Sequence, residues 1–209
     1  MRYAFRDFRI TRNCDKSFDD YHDYKDYLKK DFHERCAYCN LSMRNITSFF
    51  ETDHYIPRKE FETEWPDLDT DYNNLMWACR KCNLAKSSQF KGDLTKRIID
   101  NELFYDPTQV DYNEIFFRDE FCGIASVDEK GMNMISLLKL YRPIHNLAFF
   151  CEITNKLVSK LDKKLMMLDC NSEEYAAIHE LRMELKDLYS DSRDLFIANY
   201  NNNDFKLTE

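Results

Sequence analysis

Three runs decide the reading of this chain: RCAYCN at residues 35–40, ETDHYIPRKEF at 51–61 and YNNLMWACRKCNLAK at 72–86. They set two cysteine pairs, Cys36/Cys39 and Cys79/Cys82, on either side of an Asp53-His54 dipeptide, with Asn74 and Asn83 flanking the second pair. Each C-x-x-C turn presents two thiolates about a tetrahedral edge apart, so two such hooks close the coordination sphere of Zn²⁺ and leave no open position. Four sulfurs point to a structural ion. The 39 residues between the hooks exceed the usual zinc-ribbon spacing, so the site is expected to clamp the base of a larger excursion that carries the chemistry. The competing reading is four buried thiols kept reduced; two matched hooks argue against it.

A second site is read from Asp53, His54 and Asn83. Aspartate and asparagine oxygens are hard ligands suited to Mg²⁺ or Mn²⁺, and neighbours on an extended segment point to opposite faces, so a ligand and a base can stand side by side in sequence. Asn83 follows the last cysteine directly, and the zinc hook therefore fixes its place.

These residues resemble the HNH, or ββα-metal, endonucleases. In that family the first His follows an Asp, the middle Asn precedes an apolar residue, and the last His or Asn follows the second hook; the matching positions are Asp53 and His54, Asn74, and Asn83. Asn83 makes this an H-N-N variant. The resemblance implies phosphodiester hydrolysis with one divalent ion: His54 as general base, Asp53 and Asn83 holding Mg²⁺ or Mn²⁺, and Zn²⁺ at the four cysteines keeping the geometry rigid. Asn74 is assigned to bridging backbone groups of the loop, so as to hold His54 in place. Arg58, Lys59 and Lys86 are candidate phosphate contacts, and Trp77 reads as local core. Few residues suggest base reading, so intrinsic sequence specificity is expected to be low.

Composition bounds the rest. In 209 residues there are only three Gly and four Pro, with 44% hydrophobic and 15% aromatic content, which argues for a folded chain richer in helix than in strand. The expected fold class is α+β, mostly helical, with the zinc-clamped ββα module plus a helical C-terminal region. The expected divisions are a helical extension over 1–35, the nuclease module over 36–90, and a mainly helical region over 91–209. Eight cysteines without a secretion signal read as four zinc ligands plus reduced Cys14, Cys122, Cys151 and Cys170. No apolar run is long enough to span a membrane, so the expected location is cytoplasmic.

A net charge of −8 looks wrong for a nucleic-acid binder until it is divided. Residues 1–99 carry 18 Lys and Arg against 17 Asp and Glu, whereas 100–209 carry 12 against 21. Within 79–97, Arg80, Lys81, Lys86, Lys91, Lys96 and Arg97 face only Asp93, a stripe suited to phosphate or, more blandly, to solvent.

Along the chain, 17–36 reads as a helix with Ser17 as N-cap, and ITSFFETDHYIP (46–57) as both strands of the ββα unit. FETEWPDLDTDY (61–72) reads as an acidic surface loop, DLTKRIIDNELF (93–104) as a short helix or turn, and the stretch to Val127 as a strand pair. A helix follows Gly131, another opens at Pro143, and a third is capped by Ser172 and interrupted at SDSRD (190–194). The helical stripes can bury against each other or against another protein. The stretch 104–142 resembles, more loosely, the segment C-terminal to the nuclease module in the HNH subunits of Septu-type anti-phage systems and their retron-associated relatives. That likeness implies a partner ATPase docked on the C-terminal helices. Separately, DNA is favoured over RNA as substrate. The alternative is a non-catalytic zinc-binding scaffold or regulatory subunit. A deaminase is set aside because DHYIPR lacks H-x-E, and a redox C-x-x-C because no βαβ context surrounds it.

Overall fold

The computed structural model describes residues 2–45, 50–94 and 101–202. The chain forms two compact units, Met1–Arg142 and Pro143–Glu209, and the expected division after residue 90 falls inside the first.

In the first unit, β1 (Tyr3–Ala4) leads into an irregular segment and then a 3₁₀ turn, Tyr21–Tyr24, that runs into α1 (Lys25–Asp31). The helix begins later than expected because Asp20, not Ser17, supplies the cap, accepting from the His22 N–H. Tyr24 and Leu28 are buried on one face; a fully buried leucine contributes about 1.5–3 kcal/mol. Asp31 at the helix end accepts from Tyr72 Oη at 2.7 Å and from Asn13 N–H at 2.8 Å, tying the N-terminal extension to the excursion.

Strand β2 (Phe50–His54) ends before Pro57 and the single turn α2 (Arg58–Phe61). Its antiparallel partner is β3 (Leu75–Cys79), in register from Phe50 opposite Cys79 to His54 opposite Leu75, and α3 (Arg80–Lys86) follows at once. Both strands were expected within 46–57. Residues 46–49 lie outside the described residues, and the second strand comes instead from LMWAC. All five of its residues are buried, so it lacks the polar alternation that marks a half-exposed strand and reads from sequence as undifferentiated core.

After residue 101, α4 (Tyr112–Ile115) precedes β4 (Phe116–Arg118) and β5 (Ile124–Ser126). The expected strand pair gains a third member, since β1 pairs antiparallel with β4 to give the order β1-β4-β5. Phe5, Tyr112 and Phe116 pack ring on ring at 5.0–5.8 Å between centroids. Helix α5 (Glu129–Leu137) is capped by Asp128, which accepts from Gly131 N–H at 2.6 Å. Gly131 therefore lies inside the helix and not before it. A Cβ at this position would stand 1.9 Å from Ser126 Oγ, so the glycine lets the helix meet β5. The stretch 95–100, with Lys96 and Arg97, lies outside the described residues.

The second unit is a helical hairpin. Helix α6 (Pro143–Leu165) opens on its proline, and α7 (Glu173–Tyr200) is capped by Ser172, whose Oγ accepts from Tyr175 N–H at 3.1 Å. Arg182 with Asp162, at 2.8 Å, and Lys164 with Glu174, at 2.8 Å, cross between them. The expected break at SDSRD is absent: α7 runs through it, because that stretch holds no Gly or Pro and its Ser192 is buried in the packed end of the helix. All buried residues of α7 lie from Ser192 onward, while Leu181 and Leu188 are 46% and 45% exposed.

Candidate active site

The first hook turns between α1 and β2. Asn40 adopts φ 62°, and Cys36 N–H donates to Leu41 O at 2.9 Å, closing the turn that carries Cys36 and Cys39. The second hook spans the β3–α3 junction. Ala37 N–H donates to Trp77 O at 2.8 Å, which fixes one hook against the other. All four sulfurs are buried and lie within 4.8 Å of one another, with Cys39 Sγ and Cys79 Sγ 3.8 Å apart. Thiolates about 2.3 Å from a tetrahedral Zn²⁺ stand about 3.8 Å from each other, so the cluster can hold zinc. Two buried arginines from outside the module brace the first hook. Arg6 donates to Ala37 O at 2.8 Å and Arg118 to Cys39 O at 3.2 Å. Burial holds the Arg6 guanidinium down to about 10, against the pull of Tyr112, Cys36 and other neighbours.

On β2, period-2 alternation puts Glu51 and Asp53 on the face toward α3 and His54 on the other. Asp53 is 5% exposed, and both oxygens are engaged: Oδ2 accepts from Tyr38 Oη at 2.5 Å and Oδ1 from Lys86 Nζ at 3.0 Å. Burial pushes the Asp53 carboxyl up, opposed by Lys86 and Tyr38. Lys86 also donates to His54 O at 2.7 Å and is itself wholly buried. This corrects its expected role, since an ammonium sealed between α3 and β2 does not reach a phosphate. Asn83 donates through Nδ2 to Glu51 Oε2 at 2.7 Å, and Glu51 in turn pairs with Arg80 at 3.0 Å. The expected ligand pair therefore stands on one side of β2 with separate partners. Asp53 already holds a cation, and Asn83 turns its amide N–H to Glu51. As placed, the two do not fit a divalent ion. Among the described residues, the four cysteines are the group of His, Cys, Asp and Glu side chains close enough to share a metal.

His54 looks the other way. Its Nε2 lies 3.0 Å from Asp69 O and 3.0 Å from Asp69 Oδ1, with the Tyr21 ring edge-on at 4.8 Å. Burial holds the imidazole below its ordinary value, opposed by the Asp69 carbonyl and carboxylate. Asn74 staples this region. Its Oδ1 accepts from Ile56 N–H at 2.8 Å, and its Nδ2 donates to Ile56 O at 3.3 Å and Leu68 O at 3.1 Å. Arg58, expected on phosphate, spends its Nε and Nη2 on Asp69 at 2.6 and 3.0 Å and lies over the Tyr21 ring. Lys59 pairs with Glu60 at 3.5 Å on the surface, and Lys91 of the basic stripe pairs with Glu102. Sequence reasoning missed Tyr38, Glu51 and Asp69. Glu51 was legible as the same-face neighbour of Asp53; Asp69 sits in an acidic run that gives no sign of which carboxylate turns inward.

Residues 36–89 match the family model described as HNH endonuclease. This stretch is an HNH domain. Over an alignment of 92 residues the chain is 32% identical to the Septu protein PtuB of Bacillus mycoides (strain KBAB4), the match covering 39% of this chain and 31% of that protein. The match thus spans under a third of the relative's length. No solved structure matches the chain. The bounds of the HNH domain coincide with the two hooks and α3, so the four-cysteine knuckle, β2, β3 and the helix after them are its frame, while Arg6 and Arg118 brace it from segments outside.

Proposed function

We propose that this protein is a metal-dependent endonuclease in which His54 is the general base that takes the proton from a water attacking a phosphodiester phosphorus. The observation that carries the reading is the placing of His54 at the end of β2, within the HNH domain, with one ring nitrogen held by Asp69 and burial favouring the neutral ring. Zn²⁺ at Cys36, Cys39, Cys79 and Cys82 is the structural ion of this reading. Mg²⁺ or Mn²⁺ is the expected requirement for cleavage, as for HNH nucleases, and Asp53 and Asn83 would hold it only after Lys86 withdrew. DNA is the proposed substrate. Likeness to a Septu protein supports a role in anti-phage defence, in the cytoplasm, beside a partner ATPase; the exposed leucines of α7 offer that partner a surface. Among the described residues no helix is long and apolar enough to cross a membrane.

The test is cleavage of supercoiled plasmid and single-stranded nucleic acid with Mg²⁺, Mn²⁺ or EDTA by wild type and His54→Ala. Metal-dependent cleavage by wild type alone supports the nuclease. One observation favours the second reading, a non-catalytic scaffold: the Lys86 ammonium already occupies Asp53. Zinc-loaded protein that cuts neither substrate, alone or with its co-purified proteins, would establish the scaffold instead.

A further inference from the structure

The general base has a partner that no motif names. Asp69 closes the 3₁₀ turn Pro66–Asp69 and turns both its backbone carbonyl and its carboxylate Oδ1 to His54 Nε2, each at 3.0 Å. Both groups only accept. A ring nitrogen facing two acceptors carries the proton, and the lone pair then sits on Nδ1. The carboxylate is itself anchored by the Arg58 fork, at 2.6 Å to Oδ1 and 3.0 Å to Oδ2. Asn74 holds the same turn from beneath by donating to Leu68 O, one residue before Asp69. The order of support runs from Asn74 to the turn, from the turn to Asp69, and from Asp69 to His54.

We infer that the Asp69 carboxylate is the positioning residue of the hydrolytic site: it fixes the proton on His54 Nε2, leaves Nδ1 as the accepting atom, and stabilises the imidazolium that forms. In the step itself, a water O–H bond breaks, its proton passes to Nδ1, and the oxygen bonds phosphorus as the ester P–O bond breaks, the leaving oxygen keeping the bond's electron pair and taking a proton from solvent. The backbone carbonyl is one neutral acceptor and shares the orienting of the ring; the negative charge of the side chain, 35% exposed and clamped by Arg58, adds a preference for the charged ring that a carbonyl lacks. The inference rests on the nuclease reading for its kinetic half only.

The experiment compares full-length wild type, Asp69→Ala and Asp69→Asn by steady-state plasmid cleavage in Mg²⁺ or Mn²⁺ and by ¹⁵N spectra of histidine-labelled protein, with His54→Ala assigning the ring. Expected are an Nε2–H tautomer in wild type, a mixture in Asp69→Ala, and kcat lower by about 10–100-fold with KM within about twofold. Asp69→Asn, which keeps an acceptor oxygen, is expected to keep the tautomer and recover part of kcat. An Nδ1–H tautomer in wild type overturns the inference, and so does an Asp69→Ala enzyme with wild-type kcat. If wild type cuts nothing, the nuclease reading fails, and the tautomer of Asp69→Ala against that of wild type still decides the role of the Asp69 carboxylate: an unchanged Nε2–H tautomer overturns it. Should Asp69→Ala not fold, the wild-type spectrum and the kcat of Asp69→Asn, expected below wild type, decide the same question.

Discussion

The Lys86 ammonium stands 3.0 Å from the Asp53 carboxylate, and the side chains are 0% and 5% exposed. A buried pair gains much of its worth from not being broken, because removing one partner leaves the other charge without water. Lys86→Ala is therefore expected to lower unfolding free energy by about 3–5 kcal/mol in urea titration. If the ammonium stands where a divalent ion would sit, added Mn²⁺ will raise the melting temperature of Lys86→Ala and leave wild type unmoved. Equal response of the two proteins would separate the ion from Asp53.

The four-cysteine knuckle predicts a stoichiometry. Metal analysis should find about one zinc per chain, and Cys82→Ser should lose it together with the fold of the first unit. Arg6→Ala is a milder probe. It leaves the four ligands intact but removes the donor to Ala37 O, so zinc should leave faster to a chelator without any loss at equilibrium in chelator-free buffer.

Asn74 makes three hydrogen bonds with buried backbone around Ile56 and Leu68. Asn74→Ala should cost about 1–3 kcal/mol of stability. Because the Leu68 bond steadies the turn bearing Asp69, the same change should slow cleavage more than it weakens substrate binding; an effect on KM alone would place Asn74 at the substrate.

Thiol labelling distinguishes the cysteines outside the knuckle. Burial pushes the Cys151 thiol up to about 11, whereas Cys170 is exposed. With about one part in ten thousand ionised at pH 7, Cys151 should resist alkylation in the folded protein while Cys170 reacts readily. Fast labelling of both would show that α6 opens.

Much of this was legible because cysteine spacing is a strong constraint. Two C-x-x-C hooks have few uses, and the Asp53-His54 dipeptide between them fixes one strand. What escaped was decided at long range. Strand β3 is buried on both faces and carries no alternation. Lys86, read as a surface cation, belongs to the last turn of α3, whose inward face meets Asp53 only once β2 is in place. Arg58 was read as a phosphate contact because nothing in sequence couples it to Asp69, eleven positions on. The helix through SDSRD shows local propensity losing to packing, with Ser192 accepted into a buried position.

Tyr3 and Ala4 form a strand only against Arg118 and Phe117, and the Arg6 N–H is satisfied by Asn113, 107 positions later. A ribosome adding about 5–20 residues each second needs on the order of 5–20 s to supply that partner. In the last part of this interval, once residue 89 has been added, the HNH domain has been made but Arg118, one of its two braces, has not. Maturation of the HNH domain thus waits on translation of a segment that contributes nothing to its motif, and a stall before residue 118 would release a cysteine hook without its full frame.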